Sequence, residues 1–229
     1  DAGKVVERSQ IEDLDILQAK FDNNVRLNVK KTDFEANQIK VAIRFGGGLL
    51  EMPKDKPGLA LAAENILIEG GLGQHSRDEL DQILAGKTVS SSLTVDSDAF
   101  VLRGQSNPED LALQLKLLTA YLQDPGYRPE AERMVRKQLD TLYTQLKHTP
   151  QGVLQNEVAR FLAEGDPRFG FPAQETLASI TTGDVKAWLK KPLQSSYLEV
   201  SVVGDVESLQ SVLELVAKTL GTLKARADS

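Results

Sequence analysis

Cysteine is absent from this chain of 229 residues, so disulfides, thiol nucleophiles and thiolate metal sites are excluded. No apolar run approaches the roughly 18–20 residues that a membrane-spanning helix needs. An excess of basic residues is also missing, since 27 Lys and Arg stand against 33 Asp and Glu, for a net charge of -6. The sequence therefore predicts neither a membrane nor a nucleic-acid partner.

Apolar residues make up 41% of the sequence, enough for one large domain or two small ones. A chain of this length buries roughly 70–75% of its unfolded surface. Residues 1–20 are mostly polar, and we expect them to be a lead-in segment before a single domain over residues 21–229.

Two alternating patterns organise this domain. Apolar and polar residues alternate in short runs, most clearly over Ile39–Phe45, which predicts half-buried strands. Capping signals and helical periodicity predict helices between them. Predicted strands cover 25–29, 39–45, 88–95, 99–103 and 197–203, and predicted helices 59–68, 77–84, 109–122, 129–147, 151–163, 185–189 and 207–220. This order favours an α+β fold, a mixed or antiparallel sheet with helices packed on one face.

Four segments, taken in order, resemble the inverted-zincin (pitrilysin/insulinase-type) zinc metallopeptidases. They are an opening strand at 24–30, a glycine turn and helix start at 45–48 and 57–60, a helix broken by a proline at 107–127, and a closing strand and turn at 202–206. The resemblance implies a processing-peptidase-like (LuxS-like) metallopeptidase-half domain.

The catalytic motif of that family is His-x-x-Glu-His on the first long helix, where the two histidines bind zinc and the glutamate acts as general base. The aligned residues here are Leu61, Glu64 and Asn65, so only the base position keeps its residue type. The region of the family's distal glutamate offers only Asp140 between Glu132 and Glu157. We therefore expect no metal and no catalytic residue in this chain. The alternative to a role as a base is a structural role for Glu64 on its helix.

The resemblance implies a degenerate, non-catalytic domain that is a fragment of a larger multidomain protein. Zinc is then expected in a catalytic half, in the same polypeptide or in a separate subunit, and this chain alone is expected to be inactive. Its implied role is to wall a chamber around extended peptides, which this family binds by strand addition. The candidate edge strand contains Val89, Ser90, Ser91 and Ser92.

Two alternatives stay open at this point. The chain could serve as a separate partner subunit, or as a scaffold with no proteolytic role. The expected compartment is the periplasm, as for many Gram-negative relatives, with the mitochondrial matrix or the cytoplasm as alternatives.

Overall fold

A computed structural model describes residues 1–228 as a sheet of seven strands covered by helices. The strand order is β1-β2-β3-β7-β4-β6-β5. Only β3 and β7 run parallel within this order, and the other neighbours are antiparallel. The predicted α+β class with a mixed sheet is confirmed.

The predicted helices and strands are found in the expected order, with shifts at their ends, and β1, β2 and α7 are additional. The strands are β1 (Val5–Ile11), β2 (Ile16–Phe21), β3 (Arg26–Lys31), β4 (Ile39–Phe45), β5 (Ser92–Val95), β6 (Phe100–Ser106) and β7 (Leu198–Gly204). The helices are α1 (Leu59–Glu69), α2 (Arg77–Ile83), α3 (Leu111–Gln123), α4 (Pro129–His148), α5 (Pro150–Val153), α6 (Ala159–Leu162), α7 (Gln174–Ser179), α8 (Thr182–Ser195) and α9 (Leu209–Ala217), with a π-helical turn at Leu154–Val158 between α5 and α6.

The two faces of the sheet differ sharply in composition. Successive side chains of a strand point to opposite faces, and over β2, β3, β4 and β7 one face is apolar and buried. Phe21, Leu27, Ile43 and Val200 belong to this face and join the core formed with the helices. The opposite face carries mostly polar and charged side chains that remain partly exposed. We call this opposite face the open face.

The expectation of a lead-in segment at residues 1–20 is wrong, because this stretch contributes β1 and β2 to the sheet. β2 does alternate, with Leu17, Ala19 and Phe21 buried. All seven residues of β1 are exposed, so its sequence carries no apolar alternation that could have predicted a strand. Strand β1 is held by its pairing with β2, not by burial.

Helix α8 is also longer than the predicted helix at 185–189, because it continues through Pro192 to Ser195. A proline usually ends a helix pattern, and Pro192 instead lies buried within one. Helix α7 was not predicted. No helix of residues 1–228 is long and apolar enough to cross a membrane.

Candidate functional site

Helix α1 lies at the centre of the candidate site. It begins after Gly58, whose φ of 93° is a left-handed conformation that favours glycine, and it is followed by Gly70. Most of its side chains are buried because it packs against β5, α4 and α8. The nearly all-apolar sequence of α1 therefore reflects its central position in the molecule.

The two positions aligned with zinc-binding histidines cannot supply such ligands. Leu61 is an aliphatic side chain, half-buried and packed against the core. The Asn65 side chain is exposed, and its Nδ2 donates to the backbone carbonyl of Leu61 at 3.1 Å. Zinc sites in proteins use histidine, cysteine and carboxylate ligands. The residues of α1 therefore do not fit zinc.

Glu64, at the position of the family's base, hydrogen-bonds to the sheet. The backbone N–H of Val95 in β5 donates to Glu64 Oε1 at 2.8 Å. Hydrogen-bonded pairs alternate along an antiparallel ladder, and the bond from Asp96 N to Ala99 O sets this alternation in the β5–β6 hairpin. The Val95 N–H therefore points to the outer edge of the sheet, where Glu64 takes the place of a neighbouring strand.

The environment of Glu64 changes its proton affinity. Burial raises the pKa of its carboxyl group, the hydrogen bond from Val95 opposes this effect, and the nearby Asp96 carboxylate raises the pKa further. A raised pKa is common at catalytic sites. Here burial beside β5 accounts for it, and helix α1 contains no histidine that could share a metal ion or a proton with the carboxyl group.

The predicted edge strand is shorter than expected, because the ladder of β5 starts at Ser92 and excludes residues 88–91. Gln114 of α3 replaces the missing ladder bonds. Its Oε1 accepts from Ser90 N at 2.9 Å, and its Nε2 donates to Ser90 O at 2.8 Å. A Cβ on Gly104 would lie 2.1 Å from that Nε2, so glycine makes room for the amide. The prediction of strand at Val89, Ser90 and Ser91 is therefore wrong.

A second side chain, from the residue just before α3, holds the same segment. Asp110 accepts from Thr88 N at 2.8 Å and forms an ion pair with Lys87 at 3.3 Å. The hydrogen bond from Thr88 lowers the pKa of the Asp110 carboxyl group. Sequence reasoning missed Asp110 and Gln114. The signal was present for Gln114, which lies within the apolar stripe of Leu111, Leu115 and Leu118.

The segment at 88–91 also borders a cavity of about 220 Å³ between α2 and α3. Its walls combine leucines with one arginine and one tyrosine, namely Leu80, Leu84, Leu117, Arg77 and Tyr121. The cavity lies beside the candidate peptide-binding residues Val89, Ser90 and Ser91.

The other candidate ligands lie apart from α1. His75 is exposed in the turn before α2, and His148 is exposed in the last turn of α4. Asp140 accepts from Gln174 at 2.6 Å, and Glu132 pairs with Arg136 at 2.6 Å. Within residues 1–228 no group of three His, Asp or Glu side chains could hold a metal ion.

Comparison with known proteins confirms the resemblance suggested by the sequence. No family model matches the chain. The chain is 24% identical over 217 residues to the chloroplastic stromal processing peptidase of Arabidopsis thaliana, with 93% of this chain and 17% of that protein covered. It is 22% identical over 221 residues to the probable zinc protease PqqL of Haemophilus influenzae, with 93% and 23% covered. The chain thus spans about a fifth of the length of the curated relatives it matches.

Solved structures share the fold. The ferredoxin protease FusC superposes with a TM-score of 0.78 at 19% identity, over 100% of this chain and 25% of FusC. The periplasmic protease PqqL from Escherichia coli gives 0.77 at 20% identity, over 100% and 25%. An inactive domain of a peptidase M16 from Pseudomonas fluorescens gives 0.73 at 16% identity, over 94% and 52%. The relatives and structural neighbours are thus peptidases of the pitrilysin/insulinase type, and one is an inactive domain.

Proposed function

We propose that this chain is a non-catalytic domain of a zinc-dependent peptidase. In this proposal it forms part of the wall of a chamber that encloses extended peptide substrates. The zinc and the catalytic residues belong to a partner half, in the same polypeptide or in a separate subunit.

The observation that carries the proposal is the state of α1. The sequence resemblance aligns this helix with the zinc helix of the family, and the fold is shared with zinc proteases. Leu61 and Asn65 replace both ligands, and Glu64 bonds to β5. A free base next to zinc must be able to reach a bound water. A carboxylate that serves as acceptor for a strand has a structural role instead.

Peptide binding by strand addition at β5 is the second part of the proposal. β5 is the last strand in the sheet order, so its outer edge faces away from β6. Residues 89–92 lead into this edge, beside the cavity between α2 and α3. A peptide lying along Ser91, Ser92 and Leu93 would add a strand there. At Val95 it would meet Glu64, which already occupies the outward N–H.

We propose a periplasmic location. The whole of this chain matches a quarter of the E. coli protein PqqL, which is a periplasmic protease. A scaffold without a proteolytic role remains the second candidate function. The inactive domain from Pseudomonas fluorescens supports either role, because its fold is retained in a domain described as inactive.

Zinc titration by calorimetry tests the degenerate-site interpretation. The chain is first treated with a chelator and then titrated at neutral pH. We expect no tight binding to the unaltered chain, and a gain of zinc binding in Leu61→His/Asn65→His. That variant places two imidazoles four residues apart on one helix face, with Glu64 between them.

The matched control is Arg133→His/Lys137→His, which places the same spacing on exposed positions of α4. Zinc binding that is no tighter in the α1 variant than in this control would show that α1 is not a former zinc helix. One zinc bound tightly by the unaltered chain would contradict the proposal directly.

The chamber role needs a separate measurement. The chain is mixed with the half that carries His-x-x-Glu-His in the same organism, and hydrolysis of a quenched fluorescent peptide is followed. We expect the rate to rise in proportion to complex formation. A complex that forms without any change in hydrolysis would favour the scaffold.

A further inference from the structure

We propose that the open face is a docking surface for an acidic, extended polypeptide segment. This inference rests on the proposed chamber role, with the uncovered sheet face as the surface turned to the substrate. It goes further by assigning the charge and the conformation of the ligand.

Positive charge is concentrated on the open face. Six of the 27 basic residues of the chain point from β2, β3, β4 and β6 onto the open face, against two of its 33 acidic residues, Glu7 in β1 and Glu199 in β7. The cations are Lys20, Arg26, Lys30, Lys40, Arg44 and Arg103. The rest of the molecule is therefore strongly acidic. Such a segregated field attracts a ligand of negative charge to this one face.

Carboxylates at the margins pair with most of these cations, but weakly. Asp98 in the β5–β6 turn pairs with Arg44 at 3.2 Å, Asp96 with Arg103 at 3.9 Å, and Glu35 before β4 with Lys40 at 3.0 Å. At the other end Asp228 pairs with Lys20 and Arg26, and Glu7 lies 3.9 Å from Lys20. Exposed ion pairs of this kind contribute about 0–1 kcal/mol each, so carboxylates of a ligand can replace them.

Lys30 differs from the other cations, since no ion pair ties it to any residue among 1–228. Glu199, one of the two acids of the face, already accepts from the Tyr197 hydroxyl at 2.6 Å and from Asn28. It therefore binds to neutral neighbours and does not compensate the charge of Lys30.

The shape of the face fits an extended segment. Ala42 of β4 and Ser201 of β7 lie side by side in the register, and both are small. Together with Gly104 they form the floor of a hollow of about 360 Å³, with Lys40 and Arg103 at its sides. A second hollow of about 330 Å³ lies beside Lys30 and Val203, and a third of about 330 Å³ beside Lys20 and Arg26. The three hollows follow one another across the sheet.

A polypeptide fits this surface better than a nucleic acid does. Single-stranded nucleic acids need aromatic side chains on which successive bases stack. The aromatic side chains beside the hollows are Tyr197, over which Arg26 lies at 5.8 Å, and the exposed Phe34, and they lie near opposite ends of β7. The floor of small and apolar side chains can accept side chains of a peptide, while the flanking cations bind its carboxylates.

The test measures binding of labelled peptides by fluorescence anisotropy at low and physiological salt. One 20-residue probe contains Glu, Asp, Gly and Ser, and a matched probe has Lys and Arg in the acidic positions. We expect the acidic probe to bind and the basic probe not to bind. Lys30→Glu/Lys40→Glu should weaken binding of the acidic probe about tenfold or more, and added salt should weaken it further.

Lys190→Glu/Lys191→Glu is the matched control, because it makes the same change in net charge at exposed positions of α8. It should change the affinity less than about twofold. Equal losses of affinity for the acidic probe in both variants would mean that net charge alone explains the effect, and would overturn the proposal. So would preferential binding of the basic probe, or tighter binding of a single-stranded DNA of equal charge. Failure of this test with normal stimulation of a catalytic half would reject the acidic ligand and keep the chamber role.

Discussion

Two regions of this molecule satisfy their polar groups in opposite ways. One is the corner formed by α1, β5 and the segment at 88–91, where the outward groups are satisfied within the chain. Glu64 holds Val95 N, and Gln114 holds both backbone groups of Ser90. The other is the open face, whose cations have exposed carboxylates as their ion-pair partners. Internal bonds close the corner at Ser90 and Val95 and leave only the short edge between them, whereas the open face is available to a ligand over several strands.

The difference follows from burial. A buried polar side chain without a partner is costly, so the largely buried carboxyl group of Glu64 needs a hydrogen-bond donor. It bonds to the strand beside it. The open face has no such constraint, because water solvates its charges, and its composition can follow the needs of a ligand. We therefore expect substitutions in the corner to change stability, and substitutions on the open face to change binding.

The largest loss of stability is expected from Gln114→Ala. Gln114 is fully buried, and its removal leaves the N–H and C=O of Ser90 without their partners and opens a gap beside Gly104. Each of the two hydrogen bonds contributes about 0.5–1.5 kcal/mol, and the gap left by a buried side chain adds to this loss. We therefore expect a loss of about 2–3 kcal/mol in the free energy of unfolding, measured by urea denaturation.

Lys116→Ala is the control for this prediction, because Lys116 is exposed on the same helix. It should change the free energy of unfolding by less than about 0.5 kcal/mol. Similar values for the two variants would mean that the Gln114 amide does not support the corner.

Gln114 also illustrates what the sequence could and could not predict. The buried strands β4 and β7 alternate so clearly that their place in a sheet was predictable, and the resemblance located α1. Pairing partners are non-local and carry no such signal. The insertion of Gln114 between Ser90 and Gly104 joins residues from three separate segments. The bond from Glu64 to Val95 likewise depends on how α1 lies against β5.

An intermediate effect is expected from Glu64→Ala. The substitution removes the acceptor of Val95 N, which should cost about 1 kcal/mol, partly offset by relief from burying a carboxylate. Glu64→Gln keeps an acceptor oxygen and should be within about 0.5 kcal/mol of the unaltered chain. If strand addition occurs at β5, Glu64→Ala should also bind an extended peptide more tightly than Glu64→Gln. Equal peptide affinities would indicate that Glu64 does not limit access to the edge.

The pH dependence of Glu64 is a smaller effect with a defined sign. The pKa of its carboxyl group in the folded chain lies above the ordinary value of 4.5, so the folded state binds the proton more tightly than the unfolded state. The resulting stability is present below pH 4.5 and is lost as the pH rises through the folded pKa. The free energy of unfolding of the unaltered chain, minus that of Glu64→Gln, should therefore fall as the pH is raised from about 4 to about 7. A difference that grows with pH would show that the carboxylate is stabilised by its surroundings.

The smallest change in stability is expected on the open face. In Lys30→Glu/Lys40→Glu the altered side chains lie at partly exposed positions, and the one ion pair lost, between Lys40 and Glu35, is exposed on both sides. The free energy of unfolding should therefore change by less than about 0.5–1 kcal/mol, even where binding of an acidic peptide falls tenfold. Urea denaturation at two salt concentrations checks this separation. A loss as large as that of Gln114→Ala would mean that the lysines support the fold, and the contrast between a closed corner and an available face would no longer hold.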